Sequence, residues 1–475
     1  MGSVTRPRSV APVLAVLITF VLCGWSPVQS AWRVSVPAIS GAFGPVRIGA
    51  DEGFFKKYGL DAEVVYIRGA PQTTAAFLSG EVQVGATGGD GVVAAYRAGN
   101  RDLTVFGAVS NKLVLSMMAH ASEEIEEILP VSACLQVLEE AYRDLGSGAA
   151  ATVPRYDVFT PQGLNSYYEY KTMSGVFPRR KIAALRLNSS VVKWYEKAGK
   201  VRKDKLPVAP GNRFVGLVVL FSTETGEPLA IFPDGYVQKM RVAGAGAIAA
   251  RYLARDDAST MALLGTGWQA SAHVLTFCAV RKLRQVRVYS PTPENRRLFI
   301  SEMQSQVAAE LVDSGSVEEA IDGADLITCA TNALSPLFPG AWIQDGVHLT
   351  CVKPCELDAT AYRRAKPLVI HWHEAKPFQI VVGVDPQSIP DVVEGWRHPL
   401  TQQVSGVWDD LPVLSHLVSG KTQGRADRSA VTCFCNNVGL GLQFAAVGSE
   451  VLLRAREAKV GRDVPTEWFL ESVHP

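Results

Sequence analysis

The sequence predicts an α/β chain of several domains, one of them a Rossmann-type parallel sheet and another β-rich. Three observations predict it. A short apolar run, Met261 to Leu264, meets Gly265-x-Gly267-x-x-Ala270 and continues into a helix-compatible stretch. Strand-like segments follow at Gln285 to Ser290 and Ala324 to Ala330, each after a helix length. Upstream, Lys181 to Leu187, Phe214 to Phe221 and Pro228 to Phe232 read as strands, with Thr223 to Glu227 as a hairpin turn.

The glycine turn carries chemistry. Gly265 permits a tight turn, Gly267 lets backbone approach a pyrophosphate, and Ala270 allows close helix-to-strand packing. The helix N-terminus that follows offers free N–H groups and a positive dipole end, so Thr266, Trp268 and Gln269 are candidate cofactor contacts with them. Thr331 and Asn332 follow the third strand, in a polar loop at a carboxyl end where open α/β sheets bind ligands.

Composition bounds the rest. With 475 residues, about three domains are expected. A net charge of +1 gives no reason to expect nucleic acid, and 47% hydrophobic residues suit large cores. Arg6 and Arg8 precede an apolar run from Val10 to Cys23, then Pro27 and small residues near Ser30 and Ala31. Residues 1–31 therefore read as a secretory signal, too short for a permanent span. The eight cysteines are scattered and suggest no disulfide framework. His348, Cys351, Cys355 and Glu356, or His371 and His373, lack the paired spacing of a metal site, so no metal is expected.

Residues 32–120 alternate strand-like and helix-like segments, from Arg33 to Pro37 through Val46 to Tyr58, Ala62 to Tyr66, Gln72 to Leu78, Val82 to Ala86, Gly91 to Ala98 and Leu103 to Val109. Pro37 to Phe43, Asp51-Glu-Gly-Phe-Phe-Lys-Lys-Tyr-Gly-Leu60 and Leu78 to Ala86 resemble the first lobe of periplasmic solute-binding proteins of the nitrate, sulfonate and taurine class. That resemblance implies half of a two-lobed clamp. The second lobe has no counterpart downstream of Ala119, so tight solute capture by Ala38 to Phe43 or Gly88 to Asp90 is not expected.

From residue 121 the character changes. Ser122 to Pro130 and Ser132 to Leu145 read as helices, the β-rich stretch follows, and Met240 to Tyr252 reads as an alanine-rich helix leading to the nucleotide domain. The expected boundaries are 121–255 for the β-rich domain, completed by residues near 435–475, and 256–434 for the nucleotide domain. Val153-Pro-Arg155, Phe232 to Ala245 with Lys239-Met-Arg241, Leu264 to Ala270, Gly323 to Thr331, and Gly346 to Thr350 with Glu356-Leu-Asp358 together resemble the ornithine cyclodeaminase and mu-crystallin family.

The resemblance implies a homodimer whose β-rich domain supplies the interface and the substrate pocket, opposite the nucleotide domain. It implies hydride transfer between nicotinamide and the Cα of an amino or imino acid, as an imine reductase or amino-acid dehydrogenase, or as a cyclodeaminase making proline from ornithine. Arg155 and Arg241 stand where the family grips the substrate carboxylate, a role suited to a planar guanidinium fork. Arg186 stands where the family usually has a substrate-contacting lysine, and Lys171 is a nearby candidate to carry the proton, or a strand-edge surface lysine. The aspartate expected before the Glu-Leu-Asp element of a cyclodeaminase is missing, and Asp358 reads as a helix N-cap.

No acid stands at the end of the second nucleotide strand. Ser290, Thr292 and Arg296 are there instead, which favours NADP(H) over NAD. The export signal points to the periplasm, whereas a nicotinamide cofactor points to the cytoplasm for the enzyme portion. A solute-binding role through the first lobe, or a non-catalytic nucleotide-dependent binder, are the other readings left open.

Overall fold

The computed structural model describes residues 32–36, 44–67, 70–86, 121–153, 155–197, 200–209, 211–373, 378–383 and 410–462, with a few isolated positions. The signal-like residues 1–31, the segments 37–43, 87–90 and 103–109, and Pro154 lie outside the described residues. The chain divides into two compact units, Met1–Met117 and Met118–Pro475.

In the first unit, β1 (Trp32–Val36), α1 (Gly44–Asp51), α2 (Phe54–Lys57), β2 (Ala62–Tyr66), α3 (Ala70–Leu78) and β3 (Val84–Gly85) follow one another. Both β2 and β3 pair with β1 in parallel, giving the order β2-β1-β3. The alternation of strands and helices dictates that arrangement, since parallel neighbours need a crossover between them.

The second unit opens with α4 (Ala121–Ile128) and α5 (Val131–Ser147). Leu135, Val137, Leu138, Ala141 and Tyr142 make the buried stripe of α5, at helical spacing. An eight-stranded sheet follows: β4 (Ala151–Thr152), β5 (Tyr156–Gly163), β6 (Ser166–Phe177), β7 (Ile182–Lys197), β8 (Lys200–Leu206), β9 (Val215–Ser222), β10 (Pro228–Pro233) and a later β17 (Phe378–Val381). Its main path is β10-β9-β7-β6-β5-β17, with β8 paired to the outer half of β7.

Helix α6 (Gly235–Leu253) then leads to a parallel seven-stranded sheet. Its elements are β11 (Thr260–Leu264), α7 (Trp268–Val280), β12 (Gln285–Tyr289), α8 (Pro293–Met303), β13 (Glu310–Asp313), α9 (Val317–Ile321), β14 (Leu326–Cys329), β15 (His348–Cys351), α10 (Ala359–Arg364), β16 (Ala365–Ile370), α11 (Leu414–Val418) and β18 (Val431–Cys435). The strand order is β13-β12-β11-β14-β15-β18-β16, so the chain reverses direction of travel after β13, beside β11. Such a switch point opens a crevice at the carboxyl ends of the strands. Strands β11 and β14 are buried on both faces, which explains their unbroken apolar runs.

Two expectations change here. The helix expected from Met240 begins five residues earlier, at Gly235, so Arg241 sits in its second turn rather than at its start. Asp234 holds the helix entry by its backbone, its N–H donating to the Gly216 carbonyl, which leaves its side chain to accept from Arg186. Residues 378–381 lie within the span 256–434 assigned to the nucleotide domain, yet β17 pairs in parallel with β5 of the β-rich sheet. That pairing joins residues far apart in the chain, and nothing local marks it.

The last helix, α12 (Leu442–Ala458), packs on β6, β7 and β9 and against α5 and α6. Phe444, Ala445, Ala446 and Val447 are fully buried there, closing the core between sheet and helices. Among the described residues no helix is long and apolar enough to cross a membrane.

Candidate active site

Strands β6, β7 and β8 and helix α6 converge on one cavity of about 320 Å³, the low end of the size range for small-molecule sites. Arg155, Lys171, Arg186 and Arg241, distant in sequence, all line it. So do Glu169, Asn188, Lys203, Lys205 and Gln238, which the sequence did not single out.

Most of these charges are paired. Arg155 grips Asp157 with two hydrogen bonds, at 2.8 and 2.6 Å, and Arg186 donates to Asp234 Oδ2 from Nε at 2.7 Å. Lys171 and Lys203 share Glu169 Oε1, at 2.7 and 2.8 Å. Burial alone would raise the Glu169 carboxyl, but the two ammonium groups hold it well below the usual carboxylate range. Burial also lowers Lys171, opposed by Glu169. Lys171 lies on β6, between β5 and β7, with its side chain 16% exposed, so it is not an edge residue.

Arg241 is different. It is buried at 3% exposure, and among the described residues its guanidinium meets only neutral oxygens: Gln238 Oε1 from Nε and Nη2, and Gln443 Oε1 from Nη1 at 2.7 Å. The Phe444 ring lies 4.8 Å from it and 5.6 Å from Arg186, a cation–π contact with each. Burial first, then the nearby Arg186, pulls Arg241 down towards about 9, with Tyr142 and Asp234 opposing.

A buried chain of hydrogen bonds aims that guanidinium. Gln443 accepts from Arg241 and donates from Nε2 to Tyr142 Oη at 2.8 Å, and Tyr142 lies 2.8 Å from His371 Nε2. Because His371 Nδ1 is 2.6 Å from the Val438 carbonyl, that nitrogen carries the proton and Nε2 accepts from Tyr142. Burial pushes His371 down to about 3, so it stays neutral and the chain keeps one polarity. None of Tyr142, His371 or Gln443 bears a local sequence signal.

At the other sheet, Gly265 has φ +119°, and a Cβ there would lie 2.3 Å from the Ala330 carbonyl oxygen. Gly267 opens α7 with φ −87° and ψ −179°, and a Cβ there would meet nothing within 4 Å. The turn is thus closed on its protein side and open on its outer side, and it fits a pyrophosphate laid against the N-terminus of a thirteen-residue helix.

Family comparison settles the class of the chain. The description "Ornithine cyclodeaminase/mu-crystallin family" matches residues 115–458, more than half of the chain. The chain belongs to that family. It is an NAD(P)-dependent oxidoreductase of the cyclodeaminase and mu-crystallin type. A second description, "NMT1/THI5 like", matches residues 41–129, in agreement with the solute-binding resemblance of the first unit.

Among family relatives, a Delta(1)-pyrroline-2-carboxylate reductase of Bacillus cereus is 29% identical over 268 residues, covering 54% of this chain and 78% of that protein. An alanine dehydrogenase of Archaeoglobus fulgidus is 25% identical over 350 residues, 72% of this chain and 96% of that one. The solved Delta(1)-pyrroline-2-carboxylate reductase of Thermococcus litoralis, in complex with NADH and L-proline, is 25% identical, with a TM-score of 0.57 over 72% of this chain and 98% of its own.

Loops at the carboxyl ends of the parallel strands carry the other candidate residues. Thr331, after β14, is fixed by Glu356, whose Oε1 accepts from the Thr331 N–H at 2.8 Å and its hydroxyl at 2.7 Å. Glu356 Oε2 accepts from the Val352 and Lys353 N–H groups, each at 2.9 Å. Burial pushes this carboxyl up to about 7, with Cys351 adding to it and the donors opposing. One buried side chain thereby ties two strand-end loops together. Asn332 follows Thr331 in the same loop.

Ser290 is buried at the end of β12, and Thr292 is the N-cap of α8. Arg296 turns back beneath them, donating to the Ser290 carbonyl at 2.7 Å and pairing with Asp313. Asp358 caps α10, accepting from Ala361 N–H at 2.7 Å, and also accepts from Gly340 N–H at 2.8 Å. His348 is enclosed by Thr432 and Thr350, and among the described residues no His/Cys/Asp/Glu group is arranged to hold a metal.

Proposed function

We propose that this chain reduces the C=N bond of an α-imino acid, and that Arg155, Arg186, Arg241 and Lys171 form its substrate site. The observation that carries the reading is Arg241, a buried guanidinium facing the cavity that forms no ion pair among the described residues. Keeping such a charge out of water costs several kcal/mol, which an arriving carboxylate offsets. Arg241 binds the substrate's α-carboxylate, with Arg155 and Arg186 at its flanks, each steadied by its own aspartate.

Arg186 is tied to Asp234, and a guanidinium is a poor proton relay. Lys171 takes that role instead. Lowered by burial and seated on Glu169, it holds a proton at the substrate nitrogen. A protonated imine plus hydride gives the amine directly, so atoms and charge balance. The bound nicotinamide supplies the hydride to Cα. Gly265, Thr266, Gly267, Trp268, Gln269 and Ala270 would hold its pyrophosphate, Thr331 and Asn332 would meet its nicotinamide end, and Ser290 and Thr292 its ribose, with Arg296 bracing these two from its ion pair with Asp313. With no acid at Ser290, and with Asp313 taken up by Arg296, NADP(H) is the preferred form.

The imine-reductase reaction, as distinct from the choice between NAD and NADP, has support from a relative solved with NADH. A proline-complexed pyrroline-carboxylate reductase shares the fold at 25% identity. Asp358, spent on capping α10, is not free to activate a side-chain amine, which disfavours ornithine cyclisation. We also propose a homodimer and a compartment that holds nicotinamide, the cytoplasm. The test is loss of 340 nm absorbance when the full chain and NADPH meet 1-pyrroline-2-carboxylate, or pyruvate with methylamine. No oxidation with any imine refutes the reading, and sedimentation reports the dimer.

A further inference from the structure

The lining of the cavity holds more positive charge than a monocarboxylic substrate can answer. Six cations face it, Arg155, Lys171, Arg186, Lys203, Lys205 and Arg241. Asp157 and Asp234 neutralise Arg155 and Arg186, while a single carboxylate, Glu169, serves both Lys171 and Lys203. Two form no ion pair among the described residues. Arg241 is held by glutamine oxygens, and Lys205 Nζ meets Asn188 Oδ1, at 3.3 Å, and the face of Phe214.

We propose that the site takes an imino acid carrying a second carboxylate, with Lys205 as the partner of that second group and Lys203 beside it. The inference rests on the imine-reductase reading for its reaction, but the charge arrangement stands on its own. Alternate residues of a strand share a face, so Lys203 and Lys205 present both ammonium groups on one side of β8, towards the cavity. Asp204 and Leu206, on the other side, are exposed.

Asn188 aims Lys205. Its Nδ2 donates to the Val215 carbonyl at 2.6 Å, which fixes the amide so that Oδ1 faces the lysine. Burial lowers the Lys205 ammonium to about 8, with Asp234 opposing, so it is charged at neutral pH. The cofactor's phosphates do not answer these lysines, because no residue of the Gly265 to Ala270 turn lines the cavity. A volume near 320 Å³ suits a substrate of four to six carbons rather than a peptide.

The test uses the full chain with NADP+ and two probes of similar length, glutarate and butyrate, by titration calorimetry. Glutarate is expected to bind about 10- to 100-fold more tightly, the worth of one charge-assisted contact. Lys205→Met should erase that difference, and Lys205→Arg should keep most of it. Lys205 is half-buried on an outlying strand, and circular dichroism checks that both variants fold. Equal binding of the two acids, or a preference that survives in Lys205→Met, overturns the proposal. In turnover, 2-oxoglutarate with methylamine should exceed 2-oxobutyrate with methylamine by a similar factor. Reduction of both without preference sinks the second-carboxylate subsite and leaves the reductase reading standing. A glutarate preference lost in Lys205→Met, but no turnover of any imine, supports the subsite and sinks the reductase reading.

Discussion

Substituting the two glycines of the cofactor turn separates folding from cofactor binding. At Gly265 an alanine must adopt φ +119°, with its Cβ 2.3 Å from the Ala330 oxygen, against 3.4 Å for ordinary contact. Left-handed strain costs about 1–2 kcal/mol and overpacking about 1–3 kcal/mol more, a total of roughly 2–5 kcal/mol. Gly265→Ala should therefore lower Tm by about 5–10 °C and push the ends of β11 and β14 apart. At Gly267 the backbone is extended, and the new methyl meets no protein atom within 4 Å. Gly267→Ala should fold as well as the parent, or better by about 0.4–1 kcal/mol through a stiffer unfolded chain. Its methyl occupies the space assigned to the pyrophosphate, so NADPH affinity, read by fluorescence titration, should fall about 10- to 100-fold, or 1.4–2.7 kcal/mol. Unchanged NADPH affinity in Gly267→Ala would show that the pyrophosphate is not seated there.

Three other perturbations follow from the same geometry. Arg241→Lys keeps the buried charge but loses the fork, and should cut kcat/KM by about 100- to 1000-fold with Tm nearly unchanged; a loss under threefold contradicts its carboxylate role. Glu356→Gln turns one acceptor oxygen into a donor facing two N–H groups, should cost about 2–4 kcal/mol in thermal unfolding, and should weaken NADPH binding by freeing Thr331. Glutarate affinity should be flat below pH 8 and fall towards tenfold per pH unit above it, as Lys205 loses its proton. The groups that set this titration are Asp234 and Glu169, which favour the charge, and Lys171 and Arg186, which oppose it. Because the folded value, about 8, lies below the ordinary lysine value of 10.5, stability should rise as pH climbs between them: the unfolded chain then holds a proton that the folded one has released.

What could be read from the sequence was local. Gly265, Gly267 and Ala270 are legible because three residues in one turn state the whole geometric demand, and strands β11, β12 and β14 because their burial is written as apolar runs. The arginines were found through motif resemblance rather than through pattern, since a lone arginine says nothing of its surroundings. The chain that aims Arg241 was out of reach: Arg241 and Gln443 are 202 residues apart, and Tyr142 and His371 are 229 apart. Lys203 and Lys205 lie in Lys200-Val-Arg-Lys-Asp-Lys205, which reads as a solvated charge run. The feature that could have marked them is alternation, lysines two apart on a strand whose intervening residue is acidic.

The arginine at position 186 explains why those lysines matter. Arg186 faces Met173 across the β6–β7 ladder, and Lys171 faces Asn188, so the two cations stand two residues apart along paired strands. A lysine at 186 could both hold a substrate and move its proton; an arginine locked to Asp234 can only hold. On the proposed reading proton handling then falls to the next strand, where Glu169 opposes the burial that lowers Lys171 but already shares its oxygen with Lys203. Such a carboxylate cannot also neutralise Lys205, whose neighbour Asn188 offers a dipole but no charge. The arginine and the outlying hairpin are thus parts of one arrangement. On the proposed reading the first flanks the α-carboxylate end of the substrate, and the second leaves on the cavity wall a cation outside any ion pair, which a second acid on the substrate is suited to meet.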